Sequence, residues 1–352
     1  MKILSLKSSY VLSDIKYPVV SSVRKSDKIP FLTLEIHTNE GIIGVSYIQA
    51  FNKQVADATS SIVAFLEKLL IGKNPLAIEE RNKEMWERTK LFGHSGIVTF
   101  AISLIDIALW DIKGKTYNQP VYRLLGGEEN SFDAYASDGL WLTNLDSIMK
   151  QSEELVSIGF TSIKMRMGRK NIKEDIEILD ALRNHWGNEL NIMVDVNQGW
   201  NRKQAKEMLD ILKKYNVYWV EEPLDTNDLE GYNQLTLSSK TPVCFGENIY
   251  GMNNVFTCLA QNTSNYFTPD LQRIGGITGW LKIAPILEYY RVPCAVHLFP
   301  EYAVHLMSTY PYSEKVEWMS WSSALFINPL TCENGTIKIP DSPGFGMNLL
   351  KN

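Results

Sequence analysis

The sequence predicts an α/β protein: a parallel barrel of alternating strands and helices, preceded by a smaller α+β domain. Three observations carry this prediction. From about residue 130 onward, short apolar runs recur at roughly 20–30 residue spacing, each followed by a helix-like stretch. Three of those runs close on a carboxylate at equal intervals of 26 residues: Asp195 in IMVDVNQ, Glu221 in YWVEEP and Glu247 in PVCFGEN. Before residue 127 the rhythm differs, with β alternation first and helical periodicity after it. A chain of 352 residues with 45% apolar content can supply a core to each part.

In chain order, MKILSLKSSYVLSDIKYP reads as a first strand. PFLTLEIHT, the turn Asn39-Glu40-Gly41 and IIGVSYIQA read as an antiparallel hairpin. Residues 52–124 are helical in period. Within them IVTFAISLIDIALWDIKGKTY is apolar around almost its whole circumference, which predicts a buried helix. Leu124-Leu125-Gly126-Gly127 closes the first domain. The candidate barrel strands are FDAYAS, SIKMRMG, NIMVDVN, YWVEEP, PVCFGE, NYFTPD, PCAVHLF and KVEWMSW, with helices such as 173–183 and 202–214 between them. Eight such strands fit a TIM-type barrel. The first domain is therefore placed at 1–127 and the barrel at 128–322. The segment 323–352, containing Thr336 to Pro340, returns to complete the first domain.

The formal charge of −5 argues against a nucleic-acid surface. No apolar stretch is long enough to span a bilayer. The N-terminus lacks the apolar core of a signal peptide. Cys244, Cys258, Cys294 and Cys332 have apolar neighbours and no CxxC spacing, so they read as reduced thiols of a cytoplasmic protein.

Strand C-termini converge on one face of a parallel barrel, where active sites lie. SIKMRMG brings Lys164 and Arg166, two apart and so on one face. NIMVDVNQ brings Asp195 and Asn197. Glu221, Glu247, Asp270, His297 and Glu317 stand at the following strand ends. Any one acid there reads as a helix N-cap, and a lone histidine as a core residue. A polar group at seven successive strand ends is not what independent capping predicts. Three hard oxygen ligands at one mouth point to Mg²⁺. His94 and His305 read as helical and are assigned no chemistry.

The chain resembles the enolase superfamily, within the mandelate racemase and acid-sugar dehydratase group. The resemblance rests on YPVVSSVR, SLIDIALWDIKGK, IMVDVNQGW, WVEEP, FGEN, PDLQRIGGITGW and HLFPE, which together cover essentially the whole chain. It implies a modified (β/α)7β barrel under an α+β capping domain, with a small carboxylate substrate between them. It implies Asp195, Glu221 and Glu247 as Mg²⁺ ligands and Asp270–His297 as a dyad whose imidazole is the base. Lys164 and Arg166 fall on the family's Lys-x-Lys pair, Glu317 on an acid that hydrogen-bonds the substrate carboxylate, and Asn197 on a substrate contact. It also implies a homo-oligomer, from dimer to octamer.

These roles suit removal of a proton beside a carboxylate, where fixed positive charge and a protonated Glu317 would stabilise an enediolate. Arg166 departs from the pattern. A guanidinium stays charged and makes a poor base, which disfavours two-base racemisation and favours one-base dehydration of an acid sugar by His297. Lys164 is the alternative base, if Arg166 lowers its pKa. A 2-hydroxy-acid epimerase or racemase and a catalytically silent binding barrel are the competing readings. The loop 16–28, with Arg24 and Lys25, and the segment from Tyr47 to Phe51 are expected to cover the far end of the substrate. Ser137, Asp138 and Trp141 are further candidates to touch its hydroxyls.

Overall fold

The computed structural model describes residues 1–21, 25–128 and 130–350. An antiparallel sheet opens the chain, with β1 (Ile3–Val20), β2 (Lys25–Thr38) and β3 (Ile43–Gln49) in that order. The described residues of the stretch 16–28, expected as a loop, are instead mostly strand. After a register shift beyond Asp14 the ladder resumes with Val19 opposite Ser26 and Val20 opposite Lys25. Val19 is buried, and the Val20 carbonyl accepts from the Leu142 amide at 2.8 Å, so the end of β1 is tied to the other domain. Arg24 lies outside the described residues.

Helices α1 (Lys53–Leu70), α2 (Ile78–Thr89), α3 (Ile97–Thr116) and α4 (Val121–Leu124) follow. Nearly every residue of α3 is buried, as its apolar circumference predicts. Its two buried acids explain how it docks on both sides. Asp111 accepts from the amides of Val45 at 2.8 Å and Phe345 at 3.1 Å. Asp106 accepts from Asn82 at 3.0 Å and from the Thr278 amide at 2.9 Å.

The barrel strands run parallel and in order: β4 (Ser131–Ala136), β5 (Ser162–Arg166), β6 (Asn191–Asp195), β7 (Val220–Glu221), β8 (Val243–Phe245) and β9 (Tyr266–Phe267). The seventh strand is held by single parallel bridges, Phe267 to Cys294 and Asp270 to His297. Pro293 begins it and has no N–H to add to a ladder. A further bridge joins Cys294 to Ser313, and β10 (Val316–Trp318) pairs in parallel with β4, which closes the ring. Between successive strands lie α5 (Leu145–Ser157), α6 (Ile172–Trp186), α7 (Arg202–Leu212), α8 (Leu229–Ser238), α9 (Gly251–Ala260), α10 (Leu271–Ile274), α11 (Gly276–Tyr289) and α12 (Pro300–Met307). Asn144, Asn171, Asn201 and Asp228 cap α5 to α8 with their side chains.

Inside the ring Tyr135, Met193, Trp219, Cys244 and Ala295 form a closed cluster. They fill the floor beneath the strand C-termini, so the polar mouth rests on a packed layer. The C-terminal segment divides. A hairpin of β11 (Cys332–Glu333) and β12 (Thr336–Lys338) pairs antiparallel with β4 rather than with the first domain. Residues 341–350 then reach α3 and α4, where the Val121 amide donates to the Gly344 carbonyl at 2.9 Å and the Tyr122 hydroxyl to Asp341 at 2.9 Å. All four cysteines are free thiols. Among the described residues no helix is long and apolar enough to cross a membrane.

Candidate active site

Strand alternation decides which side chains enter the barrel mouth. Tyr135, Met193 and Trp219 point inward, so Ser137, Asp195 and Glu221, two residues further on, do the same. Lys164 and Arg166 on β5, Asp270, His297 and Glu317 follow that rule as well. Glu247 does not. Cys244 points inward, so regular pleating would turn Glu247 outward with Phe245. Gly246 breaks the alternation with φ +141°, and a Cβ there would meet the Phe267 ring at 3.0 Å. The break brings Glu247 to His297.

Two ion-pair networks meet at the mouth, one around Lys164 and one around His297. Lys164 Nζ lies 2.7 Å from Glu317, 2.9 Å from Glu221 and 3.8 Å from Asp195. His297 Nδ1 meets Asp270 at 2.8 Å, and its Nε2 lies 3.2 Å from Glu247. Asp270 also receives the Gln272 amide at 2.7 Å and an ion pair from Arg273. Its capping role and its contact with the histidine therefore coexist, one on each oxygen. Arg166 is caged. It donates to the Ser137 carbonyl at 2.9 Å and hydroxyl at 3.0 Å, and it stacks at 4.0 Å on Trp141, which in turn stacks on Trp321.

Charge states follow from these contacts. Burial opposes the charge of Lys164, but Glu221, Glu317 and Asp195 outweigh it and hold its pKa well above the ordinary value. Arg166 pulls in the opposite direction, as expected of a like charge, while three carboxylates face the amine. Burial likewise opposes the charge of His297, but Glu247 and Asp270 push it up to about 9. Burial raises Glu317, yet Lys164 and His297 pull it well below the usual range. Glu317 Oε2 also takes the Leu298 amide at 2.8 Å.

Burial, together with Asp195, Glu317 and Glu247, pushes Glu221 up to about 7 against the pull of Lys164. Its Oε1 is buried without a hydrogen-bond partner. Six buried carboxylates (Asp195, Glu221, Glu222, Glu247, Asp270 and Glu317) face three permanent cations, Lys164, Arg166 and Arg273. Among the described residues no three such side chains are drawn together tightly enough to hold an ion as they stand. Excess negative charge, hard oxygen donors and one orphaned carboxylate oxygen nonetheless fit a divalent cation. Asp195, Glu221 and Glu247 are the acids that would hold it.

Other expected residues take different stations. Ser137 is wholly buried and serves Arg166. Asp138 accepts from the Ser320 amide at 2.7 Å. The Asn197 amide donates to Asp195 at 2.9 Å, with φ +46° at Asn197. Tyr47, expected at the substrate's far end, is buried in an aromatic cluster with Phe31, Phe299 and Tyr302, and its hydroxyl is committed to Glu301. His94 lies in a bend and not a helix, bonded to the Trp86 carbonyl at 3.1 Å. His305 is buried in α12.

Several residues escaped the sequence reading. Glu222 reads as a solvated Glu-Glu-Pro turn, yet it is 1% exposed and bonded to Asn248 and Gln198. Arg273 carried a usable signal, since it stands three residues after Asp270 at the start of a helix. Trp321 carried none.

Residues 6–126 match the N-terminal domain of the mandelate racemase / muconate lactonizing enzyme family, and residues 147–352 match the enolase C-terminal domain-like family. The L-talarate/galactarate dehydratase of Salmonella typhimurium is 33% identical over 92% of this chain and 81% of its own. The 3,6-anhydro-alpha-L-galactonate cycloisomerase of Streptomyces coelicolor is 29% identical over 90% of this chain and 88% of its own. The crystal structure of L-talarate dehydratase from Polaromonas sp. JS666, complexed with Mg and L-glucarate, superimposes with a TM-score of 0.93 at 29% identity, covering 99% of this chain and 95% of that one.

Proposed function

Because the chain belongs to the mandelate racemase / muconate lactonizing enzyme family of the enolase superfamily, we propose that it is a Mg²⁺-dependent acid-sugar dehydratase. It would convert an aldonate or aldarate to a 2-keto-3-deoxy acid. Asp195, Glu221 and Glu247 would hold the cation, which when bound supplies fixed positive charge beside the substrate carboxylate. The single observation that carries the reading is the pairing of one movable-proton group, His297, with a permanently charged Arg166 across the same mouth.

In this reading Glu247 turns its charge to the cation and no longer holds the proton on His297, so the neutral imidazole takes the α-proton at Nε2 while Asp270 holds Nδ1 and fixes the tautomer. Lys164 stays protonated and lends its charge where negative charge develops on the substrate carboxylate. Glu317 keeps Lys164 in place through their 2.7 Å contact. Arg166 orients an oxygen of the substrate without exchanging a proton. The imidazolium of His297 then returns its proton to the departing β-hydroxyl, so the acid and the base are one residue. Similarity to acid-sugar dehydratases supports this, and similarity to a cycloisomerase keeps isomerisation as the alternative outcome.

The test is proton NMR of the protein with Mg²⁺ in D₂O against a panel of aldonates, aldarates and 2-hydroxy acids. A 2-keto-3-deoxy product that disappears in His297→Asn supports the proposal. Inversion at the α-carbon without loss of water would replace it with an epimerase. Full dehydration by His297→Asn would refute the assignment of the base.

A further inference from the structure

The carboxylates Asp195, Glu221 and Glu247 end three neighbouring strands, and a second row of polar side chains lies just beyond them. Gln198 follows Asp195 by three residues, Glu222 follows Glu221 by one, and Asn248 follows Glu247 by one. These three are joined to one another. The Gln198 amide donates to Glu222 Oε2 at 3.1 Å, and the Gln198 backbone N–H donates to the Glu222 carbonyl at 2.8 Å. The far side of Gln198 is fixed as well, because its Oε1 accepts from the Thr226 amide at 3.0 Å. Asn248 Nδ2 donates to both Glu222 oxygens at 2.9 Å and to Glu247 Oε1 at 3.0 Å.

We infer that Gln198, Glu222 and Asn248 form an outer girdle that sets the spacing of Asp195, Glu221 and Glu247 for the divalent cation. This rests on the metal reading above and adds the residues that make the three strand ends one unit. The physical need is clear. Three carboxylates brought together repel, and short parallel strands of two to five residues cannot by themselves hold their last side chains against that repulsion. The turns that follow are also strained, with φ +46° at Asn197, +63° at Gln198 and +40° at Glu222. Such turns persist only where neighbours hold them, and the girdle bonds run between these turns.

Asn248 is the joint of the girdle. Its one amide nitrogen reaches the outer acid Glu222 and the inner acid Glu247 together, so the orientation of Glu247 is tied to Glu222. Glu222 in turn is pinned from the other side by Gln198. Outer partners of metal ligands characteristically change metal affinity about 10- to 100-fold when removed. Gln198, Glu222 and Asn248 are positioning residues in this account, and none of them needs to touch substrate.

The experiment is Mn²⁺ binding without substrate, followed by electron paramagnetic resonance, with Mg²⁺ competition and the melting temperature of the metal-free protein measured beside it. Asn248→Leu removes the joint, and Gln198→Leu removes the far anchor, which touches none of the three inner carboxylates. Asn248→Leu is expected to weaken Mn²⁺ binding about 10- to 100-fold, and Gln198→Leu less, with Mn²⁺ affinity compared at a temperature where the metal-free variants remain folded. Unaltered Mn²⁺ affinity in both variants would overturn the girdle. If Asn248→Leu does not fold, Gln198→Leu decides alone, and unaltered affinity there overturns it. If the parent protein binds neither Mn²⁺ nor Mg²⁺, the metal reading itself falls, an outcome distinct from a parent that binds and variants that match it.

Discussion

Arg166→Lys tests the one-base reading directly. The guanidinium makes two hydrogen bonds to Ser137, at 2.9 and 3.0 Å, and stacks on Trp141 at 4.0 Å. Hydrogen bonds from a buried charged group contribute about 1.5–3 kcal/mol each, and a desolvated cation–π contact about 2 kcal/mol. Lysine keeps the charge and can recover one hydrogen bond, but it loses the second bond and the planar stack. The expected cost is therefore about 3.5–5 kcal/mol of stability, read as a fall of several degrees in melting temperature. The chemical consequence is separate. An amine at this position can give up a proton, whereas the guanidinium cannot. Arg166→Lys is expected to lose dehydration rate and to gain exchange of the substrate α-proton for deuterium without loss of water. The assay is proton NMR in D₂O, alongside thermal unfolding of both proteins. Unchanged melting together with an unchanged product profile would refute the caged-cation argument. Exchange from both α-epimers by the parent protein would refute it too, because a second base would then be working with Arg166 in place.

Two further outcomes concern stability. Burial pushes His305 down to about 3 from its ordinary 6.5, and its Nδ1 accepts from the Tyr122 amide at 3.2 Å. The unfolded chain therefore takes up the proton first, so this contribution is complete above about pH 6.5 and is lost as pH falls from 6.5 toward 3. His305→Asn keeps an acceptor and should flatten the decline in melting temperature across that window, and a parent-minus-variant difference independent of pH would contradict the reasoning. Gly344 has φ +75°, and a Cβ there would lie 2.1 Å from Asp111 Oδ1, the oxygen that receives the Phe345 amide. Gly344→Ala should destabilise by about 2–4 kcal/mol in urea unfolding, and an unshifted midpoint would mean that the C-terminal segment is not seated on α3.

Much of the mouth was legible because parallel strands end where their apolar runs end, and alternation then assigns each following residue a side. Lys164, Arg166, Asp195 and Glu221 obey that rule. Glu247 was found by its 26-residue interval and not by alternation, which would have turned it outward without Gly246. Glu222 was missed because a Glu-Glu-Pro triplet looks the same whether water or Asn248 satisfies it. Tyr47 was placed toward the substrate because an aromatic residue at a strand end has no address of its own, and Glu301, far away in the chain, determines where its hydroxyl goes.

By itself the sequence determined the strand–helix period, the buried helix α3, the free cysteines and the set of polar residues at the strand ends. These depend on local patterning, and the chain carries that pattern in linear order. Only the tertiary structure decided which charges face one another. The charges that face Lys164 come from β6, β7 and β10, brought within 4 Å in a buried mouth. Coulombic interaction there falls with distance in space and is indifferent to separation along the chain.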